Sequence, residues 1–412
     1  MSSAPLNLSY EIVLETLGIR PISHFSNSRE SLSPQERLKQ VQYQARTFVE
    51  DLKMVNQQVQ YLQVFDLVSV PYAVKSAFGK ATTLLNPYLY VTHRFVVMQF
   101  ETHAGNKTLL FSPSNSKNKK PLAKASALSG LRIKGLRINS LRASAKQLLK
   151  PWLTPRHNTV ESALKSVGIP PEKIDFICYS NLQNQDLRKW LGSHEQDAYF
   201  PNAKLLVMHQ EWEAIKDLLP LQSQNYHPDG VDGIESNKII PLHSSIMLGD
   251  SVALVQTPGK TQGNQSLVVN TDHGISVFSH NGIAVDNYSP EYSTIYGLAD
   301  YSAETNMAVI PNGRAPELSL DQYISMILEK TIADRNHGDI RFNNVIPVAE
   351  LSARWQPFAL SPTLSFGEMR QGEPSLITTK STQPYDQYVK ETNHFIMSEG
   401  LINKCPVQTC IS

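Results

Sequence analysis

The sequence predicts an α/β fold, and two observations carry that prediction. Apolar runs of strand character recur along the chain, and segments with apolar residues at three- and four-residue spacing lie between some of them. The composition is that of a soluble globular protein, since 41% of the 412 residues are hydrophobic and 18% are charged. A chain of this length can bury one large core and carry additions to it.

The first long element is a predicted helix over residues 34–62. Ser33 is the expected N-cap, Pro34 takes the first helical position, and Glu36 completes a capping box. An apolar stripe follows at Leu38, Val41, Ala45, Phe48, Leu52, Val55, Val59 and Leu62. The flanking positions carry mostly amides instead of complementary charges, so docking on the chain's own domain is favoured over a coiled-coil dimer. An oligomer through this helix stays open.

A hairpin and a basic segment come next. Residues 89–101 and 108–111 have strand character, and the turn residues 104–107 join them. Residues 102–160 contain no Asp or Glu and carry twelve cations: Lys107, Lys117, Lys119, Lys120, Lys124, Arg132, Lys134, Arg137, Arg142, Lys146, Lys150 and Arg156. Within this segment, three five-residue units at 130–144 each place an arginine after a leucine, as suits an edge strand or an anion-binding strip.

The charge of the chain is therefore unevenly distributed. The whole chain has a net charge of +1, so the remainder outside 102–160 carries +1 minus 12, or −11. An anionic ligand, nucleic acid or a membrane surface could meet the basic segment. A solvated basic face that pairs with acidic parts of the same chain is favoured over these, and a nucleic-acid or anionic-surface binder is the least favoured function.

A strand at residues 174–178 organises the second half of the chain. It is followed at once by polar side chains from Asn181 to Asp186. A turn-rich segment at 166–175 leads into it, and further strand-end segments follow at 200–207, 256–267, 277–282 and 344–350. A buried strand that ends in such a loop is how many hydrolases present catalytic side chains.

In order and spacing, these segments resemble the successive strand-end motifs of the metallo-β-lactamase superfamily, over roughly residues 85–355. The resemblance implies a four-layer αβ/βα sandwich. It divides the chain into an N-terminal extension with a long amphipathic helix (1–64), a metallo-β-lactamase-like domain (65–356) and a C-terminal extension (357–412).

The resemblance also implies where a two-zinc site would lie. The family's first motif, His-any-His-any-Asp-His, falls on Asn181, Gln183, Gln185 and Asp186, and its later ligands fall on Lys260, Asn281 and Ala349. None of these positions keeps the family's residue. Amide side chains are weak neutral donors and an ammonium repels a cation, so we expect no metal site, no zinc-activated water and no other cofactor.

We expect Lys260 and Asp186 to form a partly buried ion pair in the former metal cavity, with His280 and the amides around it. Three functions stay open. The favoured one is a protein without hydrolase activity that binds a small molecule or a protein partner. The second is a metal-independent hydrolase, lyase or cyclase of secondary metabolism that uses Asp186, Lys260 and His280. The third is the nucleic-acid or anionic-surface binder.

The remaining features indicate an ordinary cytoplasmic protein. No basic head followed by an apolar run opens the sequence, and no window reaches ~18 uninterrupted apolar residues, so no transmembrane segment is expected. Cys178 lies in an apolar strand and is expected to be a core thiol. Cys405 and Cys410 lie in a polar tail without metal-ligand spacing.

Overall fold

Two β-sheets are the frame of the molecule in the computed structural model, which describes residues 4–82, 88–115, 156–313, 318–352 and 360–375. The strands are β1 Ile19–Pro21, β2 Tyr61–Ala73, β3 Tyr88–Thr102, β4 Gly105–Phe111, β5 Phe176–Cys178, β6 Lys204–Met208, β7 Ile239–Leu242, β8 Ile246–Leu248, β9 Val252–Gln256, β10 Gln265–Thr271, β11 Gly274–Ser279, β12 Val345–Pro347, β13 Ala349–Leu351 and β14 Arg370–Gln371. The first sheet has the order β1-β8-β9-β10-β11-β12. The second has the order β14-β2-β3-β4-β5-β6-β7, with β13 paired to β3.

Helices connect these strands and flank the sheets. They are α1 Ala4–Thr16, α2 Pro34–Val55, α3 Val74–Phe78, α4 Val160–Ser166, α5 Arg188–Leu191, α6 His209–Ala214, α7 Pro220–Ser223, α8 Val285–Tyr288, α9 Leu298–Thr305 and α10 Ser319–Ile332. Short 3₁₀ turns lie at Pro171–Lys173, Ser236–Lys238 and Pro290–Tyr292.

The buried residues divide into layers. One cluster, including Phe100 and Phe278, contains the inward-facing side chains of both sheets. A second, around Trp190, joins the outer face of the second sheet to α4 and α5. A third, including Phe48 and Ile327, joins the outer face of the first sheet to α2 and α10. Helices thus cover both outer faces, and the fold is the four-layer αβ/βα sandwich that the resemblance implied.

Helix α2 begins where the sequence predicted but ends at Val55 instead of at 62. The Ser33 side chain caps the helix by accepting the N–H of Glu36. Asn56 ends the helix in the left-handed conformation, with φ at 50°. Val59 and Leu62, predicted to continue the helical stripe, instead join the core between the sheets. The predicted helix was too long because the spacing of Val59 and Leu62 continues a helical stripe, while the same apolar residues also suit a strand.

The apolar stripe of α2 packs on the chain's own domain. Its members Val41, Ala45, Phe48 and Leu52 are buried, and they lie in one cluster with side chains of α10. This confirms the expected docking of the helix. An oligomer through the other faces of α2 stays a prediction.

Both predicted extensions contribute strands to the sheets. Strand β1 pairs with β8, and β14 pairs with β2. The boundary drawn at residue 64 falls within β2, a strand that was not predicted from the sequence.

Most of the basic segment, the repeats at 130–144, Cys405 and Cys410 lie outside the described residues. In the described part of the chain, no helix is both long and apolar enough to cross a membrane.

Candidate functional site

The ends of strands from both sheets enclose a cleft. Strands β4, β5 and β6 are parallel, so their carboxyl ends meet at one edge of the second sheet. On the first sheet, His280 follows β11, and Lys260 lies in the turn after β9. We call the resulting cavity, of about 110 Å³, the strand-end cleft. Its lining includes these predicted site residues: Asn181, Gln183, Gln185, Lys260, His280 and Ala349.

Asp186 does not belong to the described lining of this cleft, and a neighbour in sequence binds its carboxylate. Arg188 donates to Asp186 from Nε at 2.9 Å and from Nη2 at 3.0 Å. His227 Nε2 lies 3.8 Å from the same carboxylate. Burial acts to raise the pKa of Asp186, but the hydrogen bonds and charge of Arg188 outweigh it, and the pKa is lowered overall. Asp186 is therefore ionised at neutral pH.

The side chain of Lys260 faces the strand-end cleft and contacts His280. Its Nζ lies 2.7 Å from His280 Nε2, and the lysine is 6% exposed. An ammonium can only donate, so His280 accepts at Nε2 and carries its proton on Nδ1 in this contact. The expected ion pair of Lys260 with Asp186 stays a prediction. Among the contacts described here, Lys260 meets His280, and the carboxylate of Asp186 meets Arg188 and His227.

Backbone and amide contacts hold the polar loop after β5. Asn181 donates from Nδ2 to Asn264 Oδ1 at 2.9 Å, which joins this loop to the turn before β10. Gln185 accepts from Ser114 Oγ at 3.0 Å and donates to the Gln183 carbonyl at 3.2 Å. Three of the four first-motif positions therefore hold the cleft wall together through neutral hydrogen bonds.

Arg94 also lines the cleft, and sequence reasoning missed it. Its guanidinium donates to Asp66 from Nε at 2.7 Å and forms an ion pair with the buried carboxylate of Glu350. Burial raises the pKa of Glu350, against the opposing effect of Arg94. Glu350 follows Ala349, the position of the family's last histidine, and the main-chain pairing of β13 with β3 brings it to Arg94. The charge of Arg94 is thus balanced within the wall of the cleft.

Asn281, at the position of the family's bridging aspartate, is fully buried behind the cleft. It donates from Nδ2 to Glu329 Oε1 at 2.8 Å and to the Thr257 carbonyl at 3.3 Å. Gly259 fits closely against it, because a Cβ at that position would lie 2.7 Å from Asn281 Oδ1. The amide therefore belongs to a packed interior and not to the cleft surface.

Glu329 on α10 is the centre of that interior. Its Oε1 accepts from Ser266 Oγ at 2.6 Å, from Ser279 Oγ at 2.9 Å and from Asn281 Nδ2 at 2.8 Å. Its Oε2 accepts from Tyr288 OH at 2.7 Å. Burial raises the pKa of Glu329, and these donors oppose that effect. The carboxyl group ties together β10, β11, α8 and α10.

A polar row on α10 is the signal that could have revealed this network. Gln322, Ser325 and Glu329 recur at helical spacing among apolar residues, which places them on one face. Gln322 donates to the Asn281 carbonyl at 3.0 Å, and Ser325 donates to the Pro258 carbonyl at 2.6 Å. The helix thereby positions the turn that carries Lys260 and the residue that follows His280.

Glu211 supports the loop after β5 from below. Its Oε1 accepts the Leu182 N–H at 2.8 Å and the Tyr226 hydroxyl at 3.0 Å. Burial raises the pKa of Glu211, which the hydrogen bonds partly offset. A single glutamate in a short helix carries no pattern by which the sequence alone could have identified it.

The residues of the strand-end cleft do not fit a two-zinc centre. Zinc is bound in proteins by imidazole, thiolate and carboxylate groups, whereas the cleft positions that the resemblance assigns to ligands hold amides, an ammonium and a methyl group. Across the ranges that the structure describes, no group of three or more His, Cys, Asp or Glu is arranged to hold a metal ion. The Nε2 lone pair of His280 is also engaged by Lys260.

Comparison with known proteins finds solved structures of low similarity. No family model and no curated protein matches the chain. One similar structure is a dizinc quorum-quenching lactonase, at 10% identity and a TM-score of 0.43, over 78% of this chain and 97% of that one. Others are a probable metal-dependent hydrolase from Staphylococcus aureus (12%, TM-score 0.41, 61% and 85%) and an N-acyl homoserine lactone hydrolase (16%, TM-score 0.40, 66% and 87%). The fold assignment rests on the layers and strand order of this chain.

Proposed function

We propose that the strand-end cleft binds a small carboxylate-bearing molecule without a metal ion. Lys260 supports this proposal, because it is 6% exposed and lies in a cleft whose described lining contains no Asp or Glu. Arg94, the other strong cation of that lining, is already balanced by Asp66 and Glu350. An anionic group that contacts Lys260 would accept a charge-assisted hydrogen bond from a buried side chain, and such bonds are stronger than neutral ones.

Neutral donors around Lys260 suit the same ligand. The amides of Asn181 and Gln183 and the hydroxyl groups of Ser112 and Ser180 line the cleft. Ser180 Oγ is buried and has no hydrogen-bond partner among the described residues, so a polar guest atom at the inner end would satisfy it. We also propose that the protein acts in the cytoplasm and does not catalyse metal-dependent hydrolysis.

Catalysis without a metal is the second candidate function, and the contact of Lys260 with His280 favours it. An amine and an imidazole 2.7 Å apart can exchange a proton. Transfer to His280 would leave a neutral amine in the cleft, which is a base and a nucleophile toward carbonyl carbon. Asp186, predicted as a third member, has its carboxylate bound by Arg188, so Lys260 and His280 are the two groups that this second candidate function uses.

Calorimetric titration with hexanoate tests the proposal, with hexanol as the uncharged probe of the same length. We expect hexanoate to bind and hexanol to bind much more weakly. Lys260→Met, which keeps the length of the side chain, should weaken hexanoate binding by about tenfold or more, as loss of a buried charge-assisted hydrogen bond implies. Lys216→Met, which removes an exposed lysine outside the cleft, is the control.

Equal hexanoate affinity in the wild-type protein and Lys260→Met would contradict the proposal. The two candidate functions are separated by following a bound carbonyl-containing carboxylate such as pyruvate by NMR. Steady conversion that Lys260→Met abolishes supports catalysis, and binding without conversion supports the first candidate.

A further inference from the structure

A second cleft lies at the opposite end of strand β11. The strand-end cleft is reached at His280, after the strand, whereas this one surrounds the turn from Thr271 to Gly274, before it. The second cleft has a volume of about 370 Å³, which is within the range of small-molecule sites in proteins. We call it the hairpin cleft.

One wall of the hairpin cleft is apolar. It is formed by Leu62 of β2 and by Leu364, Phe366 and Met369 from the segment that follows residue 360. Phe366 and Met369 are only partly buried where they pack against the core between the sheets. This wall offers an incompletely covered apolar surface to a planar or aliphatic group.

The opposite wall presents imidazoles and amides. His273 and His337 meet edge to face, with ring centroids 5.9 Å apart and planes at 85°. Beside them the side chains of Asn336 and Asn344 are fixed by a mutual hydrogen bond of 2.9 Å. A ring bound against Phe366 would therefore have aromatic and amide neighbours on its other side.

A buried hydroxyl group marks the inner end of the hairpin cleft. Ser276 lies in β11 and belongs to the lining, and its Oγ has no hydrogen-bond partner among the described residues. Most buried polar side-chain atoms in native proteins are paired with protein or with ordered water. The unmatched Ser276 Oγ therefore offers a hydrogen-bonding partner to a polar atom of a water molecule or of a ligand at this end.

The rim of the hairpin cleft carries an excess of carboxylates. Asp272, Glu368 and Arg370 belong to the lining. Asp272 lies 3.8 Å from His273 Nε2. The guanidinium of Arg370 is engaged by Glu373, with Nη2 at 2.7 and 2.6 Å from the two carboxylate oxygens. A ligand at this rim therefore meets net negative charge, which favours a cation and disfavours an anion.

From these features we propose that the hairpin cleft binds a small aromatic amine. The aromatic ring lies between the apolar wall and the imidazoles, a polar ring substituent pairs with Ser276 Oγ, and the ammonium group lies at the rim near Asp272 and Glu368. The preference for a cation is opposite to that proposed for the strand-end cleft. The two sites are therefore separable by ligand charge.

Titration of the full-length protein with tyramine tests this proposal. We expect tyramine to bind, 4-ethylphenol to bind more weakly, and 4-hydroxyphenylacetate, with the same ring and opposite charge, to bind least. The double variant Asp272→Asn/Glu368→Gln should weaken tyramine binding by about fivefold, as the loss of two partly exposed ion pairs implies. Ser276→Val, of nearly the same shape, should weaken it as well.

Two control variants make the outcome specific to this cleft. Glu304→Gln removes an exposed carboxylate on α9 and should leave the affinity unchanged. Lys260→Met changes only the strand-end cleft and should also leave it unchanged. The proposal is overturned if 4-hydroxyphenylacetate binds as tightly as tyramine, if no binding is detected, or if Lys260→Met abolishes tyramine binding. Thermal unfolding of each variant checks that it is folded.

Discussion

Replacing Glu329 by alanine is expected to lower the free energy of unfolding by about 3–5 kcal/mol, among the largest effects of a single change in this molecule. The substitution leaves four buried donors without their acceptor, those of Ser266, Ser279, Asn281 and Tyr288. It also opens a cavity behind the strand-end cleft. Equilibrium denaturation by urea measures the effect, and a loss below about 1 kcal/mol would contradict the central role given to Glu329.

The control variant Glu329→Gln separates the charge of the group from its hydrogen bonds. The amide keeps one acceptor oxygen, and Tyr288 OH can rotate to accept from the new NH₂ group. The pKa of Glu329 is raised by burial, so the protonated carboxyl contributes stability at low pH that is lost as the pH rises through the folded-state pKa. Glutamine does not ionise, and the stability deficit of this variant should shrink as the pH rises. A deficit that grows with pH would contradict the raised pKa.

Asn281→Asp, which restores the aspartate that the resemblance assigns to this position, is expected to destabilise the protein by about 2–4 kcal/mol at pH 8. The change replaces the donor that lies 2.8 Å from Glu329 Oε1 with a second carboxylate. Two carboxylates at that distance share one proton, and one of them has a strongly raised pKa. The stability of the variant should therefore recover as the pH falls, as denaturation curves between pH 8 and pH 5 would show.

A double-mutant cycle isolates this repulsion. In the double variant Asn281→Asp/Glu329→Gln, the amide of the new glutamine can donate to the new carboxylate at position 281. The contact between an amide and a carboxylate is then kept, with the two groups in exchanged positions. The double variant should be more stable at pH 8 than Asn281→Asp alone. If the second change adds to the loss, the contact between Asn281 and Glu329 is not the reason for the destabilisation.

The local sequence pattern was sufficient to predict some of the helices and strands. Helix α2 begins at Pro34 as its capping residues predict, and strand β3 has the expected bounds to within a residue. Strand β2 was missed because its apolar residues continue the three-and-four spacing of α2, and only the left-handed Asn56 separates the two elements. The pairing of β1 with β8 and of β14 with β2 joins residues far apart in sequence, which no local pattern encodes.

The sequence predicted which residues line the strand-end cleft better than it predicted which residues they contact. The resemblance identified the loop after β5 and the turn with Lys260, and these do line one cleft. Sequence reasoning did not anticipate that Arg188, two residues away, binds the carboxylate of Asp186 at small entropic cost. Glu329, Glu211 and Arg94 were missed because buried charged residues depend on partners from distant elements.

We infer that the strand-end cleft does not hold a divalent cation, because contacts within the protein engage the positions that the resemblance assigns to metal ligands. The most direct test is zinc content by elemental analysis, after the purified full-length protein is incubated with zinc and dialysed against buffer. We predict well below one zinc per chain, with no difference between the wild-type protein and His280→Gln. One or more zinc ions per chain that are retained by the wild-type protein and lost in His280→Gln would contradict the account.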